Sequence, residues 1–263
     1  MNPLFVRIGL SFFVAGFWIA LATLLGERLG SRKAGLLANM PSNILVSLLF
    51  MGITKGPEYA AASTSGVPVG MMVDSFFLAV FIFMVPKGIW LALVTSLAAW
   101  AVSAFSVIML LPPLSIVASL IAYAIVTAAL FMLVHSRLRT LHVEKKPVVF
   151  SWKIVSIRAF FAGSVVAGAV AVAQIAPPYM TGILATFPAA LTSTLVILSR
   201  SQGVAFTQAT GKILLVSSSN IIVYAGLVSL LFPLLGPWLG TLASFAGSFF
   251  FLLLLGRVTA KIR

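Results

Sequence analysis

Acidic residues are scarce in this sequence, which has 4 Asp and Glu against 17 Lys and Arg, and charged residues form only 8% of the chain. Cysteine is absent, so disulfides and thiolate chemistry are excluded. Only two histidines occur, and there is no glycine-rich loop of the kind that binds nucleotide phosphates. We therefore find no catalytic constellation, and we expect neither an enzyme nor a bound metal or other cofactor.

Apolar residues are abundant instead, at 61% of the chain with a mean hydropathy of +1.18. An ordinary soluble domain is about 45–50% apolar and about 25% charged. So few charges cannot cover this much apolar surface in water, and a disordered chain would be poor in apolar residues. The composition therefore predicts a membrane protein whose main partner is the lipid bilayer.

Apolar runs long enough to cross the hydrocarbon need roughly 20 residues. We count nine of them, several separated by proline or glycine breakers, and so predict an all-α polytopic membrane protein. The predicted spans are 4–25, 34–53, 66–85, 88–111, 113–134, 155–176, 179–199, 213–233 and 236–256.

The positive charges support nine spans. With nine crossings, all Lys and Arg except Arg7 and Lys55 fall on one side of the membrane. Cytoplasmic loops carry the excess of Lys and Arg in membrane proteins. The sequence therefore predicts a multi-pass inner (plasma) membrane protein with its N-terminus outside and its C-terminus in the cytoplasm. Because the basic residues are explained by topology, we expect no nucleic-acid partner.

An internal repeat is indicated by one motif that occurs twice, as residues 35–41 (GLLANMP) and as residues 182–188 (GILATFP). At the same separation Gly56 matches Gly203, and one residue further apart Trp90 matches Trp238. We divide the chain into a first four-helix repeat, a linker helix with a basic loop, and a second four-helix repeat. The predicted boundaries are 1–112, 113–153 and 154–263.

Four spans followed by a fifth bring the second repeat into the membrane from the opposite face. The predicted layout is therefore a 4+1+4 inverted-topology repeat, a recurring design of secondary transporters. We favour secondary transport by alternating access of a small solute or ion, coupled to H⁺ or Na⁺. A lipid or lipid-carrier translocase for envelope or exopolysaccharide synthesis is one alternative, and a non-transporting membrane assembly subunit is another. The substrate and the oligomeric state, including a homodimer, are left open.

The motif Gly-(Leu/Ile)-x-x-x-(Phe/Met)-Pro in the second span resembles the GlpM-like small bacterial inner-membrane proteins, here as two fused copies. Residues 179–188 of the second repeat keep the pattern more clearly than the first repeat, where Met40 replaces Phe. The resemblance implies a polytopic inner-membrane protein loosely linked to exopolysaccharide production. It implies no established reaction.

Pro41 and Pro188 are the first candidates for a site. They are predicted to break the second helix of each repeat, roughly 10–13 Å into the bilayer from opposite faces. A proline in a helix frees the carbonyl four residues earlier, here those of Leu37 and Leu184. Polar residues that surround the two breaks complete the prediction of a solute or ion site, although a simple packing kink explains the prolines equally well. These polar residues are Asn39, Asn43 and Thr186.

Asp74 is the one acidic residue well inside a predicted span, and its counterpart in the second repeat falls near Asn220. A charge at such a depth costs at least about 2.5–3.5 kcal/mol and usually serves a proton or an ion. We therefore predict that Asp74 couples H⁺ or Na⁺, with Asn220 as a further ligand. The alternative is a structural carboxylate that pairs with Arg7 or Asn43.

Arg200 and Lys212 flank a predicted cytoplasmic loop, where they could contact an anionic substrate. The positive charge of cytoplasmic loops explains both residues without a ligand.

Overall fold

The structure is a computed structural model that describes residues 3–28, 41–138 and 151–259. Within these ranges all regular structure is helical and no strand occurs. Asn39 and Leu37 lie outside the described residues. The helices are α1 Pro3–Arg28, α2 Ser42–Lys55, α3 Pro57–Ser63, α4 Val67–Met84, α5 Ile89–Leu110, α6 Ile116–Arg137, α7 Trp152–Val172, α8 Pro178–Leu184, α9 Ala189–Ser201, α10 Val204–Ser217 and α11 Ser219–Thr259, with short 3₁₀ turns at Thr64–Gly66 and Val85–Lys87.

Seven helices or continuous helical runs of the described chain are long and apolar enough to cross a membrane. Large apolar side chains are exposed along their outer faces, among them Phe13 at 71%, Leu110 at 77% and Leu234 at 78%. Such a surface would be unstable in water, and it fits contact with lipid acyl chains. The chain is therefore a multi-pass membrane protein with α-helical spans.

Four helices begin at, or bend around, a glycine with positive φ. Gly56, Gly88 and Gly203 directly precede α3, α5 and α10, with φ of 97°, 132° and 92°. Gly236 has φ 72° and lies at a kink within α11. A side chain would be strained in this conformation, so glycine lets one helix follow another almost without a linker.

The helical run from Pro57 to Lys87 forms the centre of the bundle, with 72% of its most apolar window buried. The corresponding windows of α1, α5 and α6 are each only 17% buried, which places these helices at the periphery. Apolar side chains such as Phe77 and Phe81 on α4 are completely buried. Because most of α4 is enclosed by protein, a polar residue on its buried faces is shielded from lipid.

Contacts between helix ends define two ends of the bundle. At the first end Arg7 Nη1 donates to Ile53 O at 3.2 Å, which joins the start of α1 to the end of α2. At the second end Gln208 Nε2 donates to Ile82 O at 2.9 Å, which joins the start of α10 to the end of α4. The 31-residue run Pro57–Lys87 connects the two ends over roughly 45 Å, enough to span a bilayer.

The first helices of the two predicted repeats, α1 and α7, pack closely against each other. A Cβ added at Gly16 would lie 3.1 Å from Ala159 O, and one at Gly163 would lie 2.7 Å from Phe12 O. Residue numbers thus rise along α1 as they fall along α7, so the two helices are antiparallel at this contact. Glycine at both crossing points lets the backbones approach.

Candidate functional site

A cavity of about 90 Å³ lies between the two halves of the described chain. A water molecule occupies about 30 Å³ in the liquid, so the cavity has room for a solute of a few heavy atoms. Five of the residues predicted for the site line it together. They are Pro41, Asn43, Asp74, Thr186 and Pro188.

The two prolines place helix starts at this cavity. Pro41 has φ −74° and ψ 54° directly before α2, and Pro188 has φ −78° and ψ 45° directly before α9. Proline has no N–H to donate, so it suits a position just outside the first helical turn. Both helices therefore run outward from the cavity, and Arg200 lies in the last turn of α9.

The prediction that Pro188 leaves the carbonyl group of Leu184 free is wrong. The segment 185–188 between α8 and α9 is not α-helical, so Pro188 does not interrupt a continuous helix. Leu184 O accepts a hydrogen bond from Phe187 N at 3.1 Å. This tightened turn occupies the carbonyl that an in-helix proline would have left free.

Asp74 lies on the central helix α4 and is only 3% exposed, yet it lines the cavity. Trp100 Nε1 on α5 donates to Asp74 Oδ1 at 2.8 Å. Within the described residues no other donor reaches the carboxyl group, so the alternative pairing with Arg7 or Asn43 is not observed. The second oxygen is therefore the part of this side chain that a ligand or a proton can reach.

Hydroxyl groups and a close backbone approach complete the surroundings. Thr186 Oγ1 donates to Ile183 O at 2.8 Å, and its side chain packs directly on Gly70, one helical turn before Asp74. Ser218, between α10 and α11, lines the cavity and its Oγ lies 3.1 Å from the Tyr123 hydroxyl. The cavity thus joins α4, the break before α9, and the junction between α10 and α11.

Three predicted site residues lie elsewhere. Asn220 is fully buried at the start of α11 but does not line the cavity, although its neighbour Ile221 does. Arg200, at the end of α9, places its guanidinium group 5.3 Å from the centre of the Trp90 ring. Lys212 on α10 is half-buried and does not line the cavity either. Neither cation lines the cavity that contains Asp74.

Trp100 is the contact of Asp74 that the sequence analysis did not predict. Its indole N–H donates to Asp74, and its ring packs edge to face on Phe187 at a centroid distance of 4.9 Å. Trp100 on α5 therefore contacts two residues that line the cavity. Tryptophan in membrane proteins concentrates at the two interfaces. A tryptophan in the middle of a span, as here, needs a partner for its N–H and could have pointed to Asp74.

Replacing Trp100 with phenylalanine should destabilise the protein through loss of this hydrogen bond. We expect a coupling free energy between Trp100→Phe and Asp74→Asn of about 1–2 kcal/mol in a double-mutant cycle. The measurement is unfolding of purified protein in mixed micelles by titration with SDS. A coupling energy near zero would contradict the role assigned to the indole.

The comparison with known protein families matches part of the chain. Residues 8–112 match a family described as a protein of unknown function, DUF3147. The matching segment ends where the first predicted repeat ends, whereas the motif that resembles GlpM-like proteins is clearer in the second repeat. No curated protein and no solved structure matches the chain. Among the described residues no group of three His, Asp or Glu side chains could hold a metal.

Proposed function

We propose that the protein is a secondary transporter that works by alternating access and is coupled to H⁺ or Na⁺. The observation that carries the proposal is the cavity in which Asp74 meets two helix starts, those of α2 and α9. Discontinuous helices that meet at a substrate site are characteristic of secondary transporters. A non-transporting assembly subunit would need no such cavity and would leave Asp74 fully satisfied by protein.

Backbone angles support an internal repeat, because unusual conformations recur at equivalent positions. Pro41 and Pro188 differ by only a few degrees in φ and by 9° in ψ, from 54° to 45°. Gly56 and Gly203, at the same separation, have φ of 97° and 92°. Glycine adopts positive φ readily, so what favours duplication of one unit is that both glycines stand at equivalent positions, each directly before a helix.

The inverted relation of the repeats is supported by the contact between α1 and α7. Gly16 and Gly163 are equivalent positions, and each packs on the residue equivalent to the other's partner. An antiparallel contact of this kind follows from a two-fold axis in the membrane plane. Two repeats related by an axis along the membrane normal would run parallel here.

Two further crossings, which bring the total from seven to nine, come from two segments of the chain. The helical run Val204–Leu254 contains 51 residues, about 75 Å, which is more than twice the thickness of the hydrocarbon, so the kink at Gly236 would divide it into two spans. The apolar helix Asn43–Lys55 would contribute to a further span. In this arrangement the first end of the bundle, with Arg7, faces outside and the second end faces the cytoplasm of the cell.

Access to the cavity from both sides of the membrane tests the proposal without a known substrate. The chain has no cysteine, so single cysteines can be introduced without background. Ala190 is half-buried and lines the cavity. We expect Ala190→Cys to react with a membrane-impermeant maleimide in both right-side-out and inverted vesicles, because the cavity opens to each side in turn.

Two exposed positions serve as matched references for sidedness. Ile175 is 89% exposed near the end of α7 and should label only from outside, as Ile175→Cys. Ser201, at the end of α9, should label only from the cytoplasmic side, as Ser201→Cys. Labelling of Ala190→Cys from one side alone would refute alternating access, and ion conductance in the same vesicles would indicate a channel instead.

A further inference from the structure

In the described part of the chain, the two helix starts at the cavity leave the backbone N–H groups of Asn43 and Ala190 without acceptors, whereas Ala189 N donates to Phe187 O at 2.8 Å. The first helical hydrogen bonds are Leu45 N to Pro41 O and Thr192 N to Pro188 O, and no side chain caps either helix. Asn43 in α2 and Ala190 in α9 precede these bonds, and both line the cavity. Unpaired N–H groups at a helix start carry a positive potential equivalent to about half an elementary charge.

Asp74 supplies the independent observation that these helix starts face a ligand site. Among the described residues that line the cavity, Asp74 has the one ionisable side chain. This side chain is only 3% exposed, and one of its oxygens has no hydrogen-bond partner in that part of the chain. Two helix starts together provide about one positive charge, which one carboxylate balances. The empty cavity is therefore close to neutral only while Asp74 is ionised.

We propose that the cavity binds a short-chain carboxylate anion together with a proton on Asp74. The inference rests on the proposed transport function and names its substrate class and coupling ion. The anion's oxygens replace the Asp74 carboxylate as the partner of the two helix starts, and the proton neutralises Asp74. Apolar side chains such as Met71 and Leu214, which also line the cavity, suit a short hydrocarbon tail better than a fully hydrated inorganic anion.

The balance of charge fixes the stoichiometry. One proton adds to the Asp74 carboxylate as one carboxylate anion enters, and both leave on the other side, so the loaded and the empty cavity carry the same net charge. No covalent bond forms in the substrate. By linkage, protonation of Asp74 strengthens anion binding, and anion binding strengthens protonation of Asp74 by the same factor.

Other titratable groups do not obscure this dependence on pH. Tyr123 on α6 is close enough to Asp74 for the two side chains to interact electrostatically, and an ordinary phenol stays neutral between about pH 5 and pH 8. His135, also on α6, lies at the end of that helix, about 12 Å along its axis from Thr127, which pairs with Ser75. The remaining charged or titratable side chains described on elements packed against α4 are Lys87, Arg137, Tyr179, Lys212 and Tyr224.

Acetate binding to the full-length protein in detergent, measured by isothermal titration calorimetry from pH 5 to pH 8, tests the proposal. We expect the dissociation constant of the wild type to rise about tenfold per pH unit once Asp74 ionises. Asp74→Asn should bind acetate with an affinity that does not change with pH. Ser75→Ala, beside Asp74 on the same helix but outside the cavity lining, should behave as the wild type.

A second variant tests the anion position separately. Asn43→Asp keeps the side-chain shape but adds a carboxylate at the start of α2, and at pH 6 it should weaken acetate binding at least about tenfold through like-charge repulsion. Acetate binding that is absent, or independent of pH in the wild type, would overturn the inference. If Ala190→Cys still labels from both sides, the transport proposal survives that failure; if acetate binds but labelling is one-sided, the transport proposal alone fails.

Discussion

Replacing Gly182 with alanine should leave almost no folded protein in detergent extracts. A Cβ at this position on α8 would overlap the carbonyl oxygen of Ser63, and the Cα of Gly66 lies just beyond it at 3.2 Å. The obstacle is backbone, which cannot rotate away as a side chain can. Overpacking a core costs about 1–3 kcal/mol even where side chains can adjust, so we expect a loss of more than about 3 kcal/mol.

Gly168→Ala is the matched control, since it makes the same change in another helix. Gly168 lies on α7 with no atom within 4 Å of an added Cβ. Alanine there should be neutral or should stabilise the helix by up to about 1 kcal/mol. Fluorescence-detected size-exclusion chromatography after heating compares the two variants, and equal folded yields would show that the contact at Gly182 does not support the fold.

The close contact between Gly182 and Ser63 also shapes the cavity that contains Asp74. A Cβ at Gly66 would overlap the carbonyl oxygen of Tyr179, so α8 and the Thr64–Gly66 turn meet through bare backbone. One turn further along, Gly70 admits the side chain of Thr186, which lines the cavity. The cavity therefore depends on three glycines that let α8 approach the central run Pro57–Lys87.

The membrane-spanning character of the fold could be predicted from the sequence because the solvent dictates it. Apolar runs with few charges have no other stable environment, and the positions of proline and glycine mark where the helices stop. The convergence of Pro41, Asp74 and Pro188 could also be anticipated, because ionisable residues and helix breaks within a membrane both tend to face protein or a cavity instead of lipid. The spacing of these three residues along the chain does not give the distances between them in space. The prediction that they converge therefore depended on the internal repeat.

Other features depend on backbone detail that residue patterns do not carry. The length of the non-helical segment before Pro188 decides whether Leu184 O is free, and the sequence could not reveal that Phe187 N would reach it. The donor to Asp74 comes from Trp100 on a different helix, so the pair depends on how α4 and α5 rotate against each other. Gly182 was visible only as part of a repeated motif, and its contact with Ser63 required the packed structure.

Replacing Asp74 with asparagine should abolish proton-driven accumulation of substrate while leaving substrate exchange intact. Asparagine has nearly the same shape as aspartic acid and resembles its protonated form, but it cannot release a proton. In electroneutral symport of one proton and one anion, a gradient of one pH unit drives about tenfold accumulation. The variant carries the anion without a proton and so moves one negative charge, and at zero membrane potential it should bring its substrate only to equal concentrations on the two sides.

Proteoliposomes loaded at a higher pH than the external buffer provide the measurement, with labelled lactate as the probe and protein-free vesicles to subtract passive permeation. Ser75→Ala serves as the control because Ser75 neighbours Asp74 but hydrogen-bonds to Met71 and Thr127 instead of lining the cavity. Counterflow of labelled against unlabelled lactate should be equal in Asp74→Asn and the wild type. Accumulation by Asp74→Asn at the wild-type level would remove Asp74 from the coupling mechanism, and accumulation driven by a Na⁺ gradient alone would assign the carboxylate to sodium.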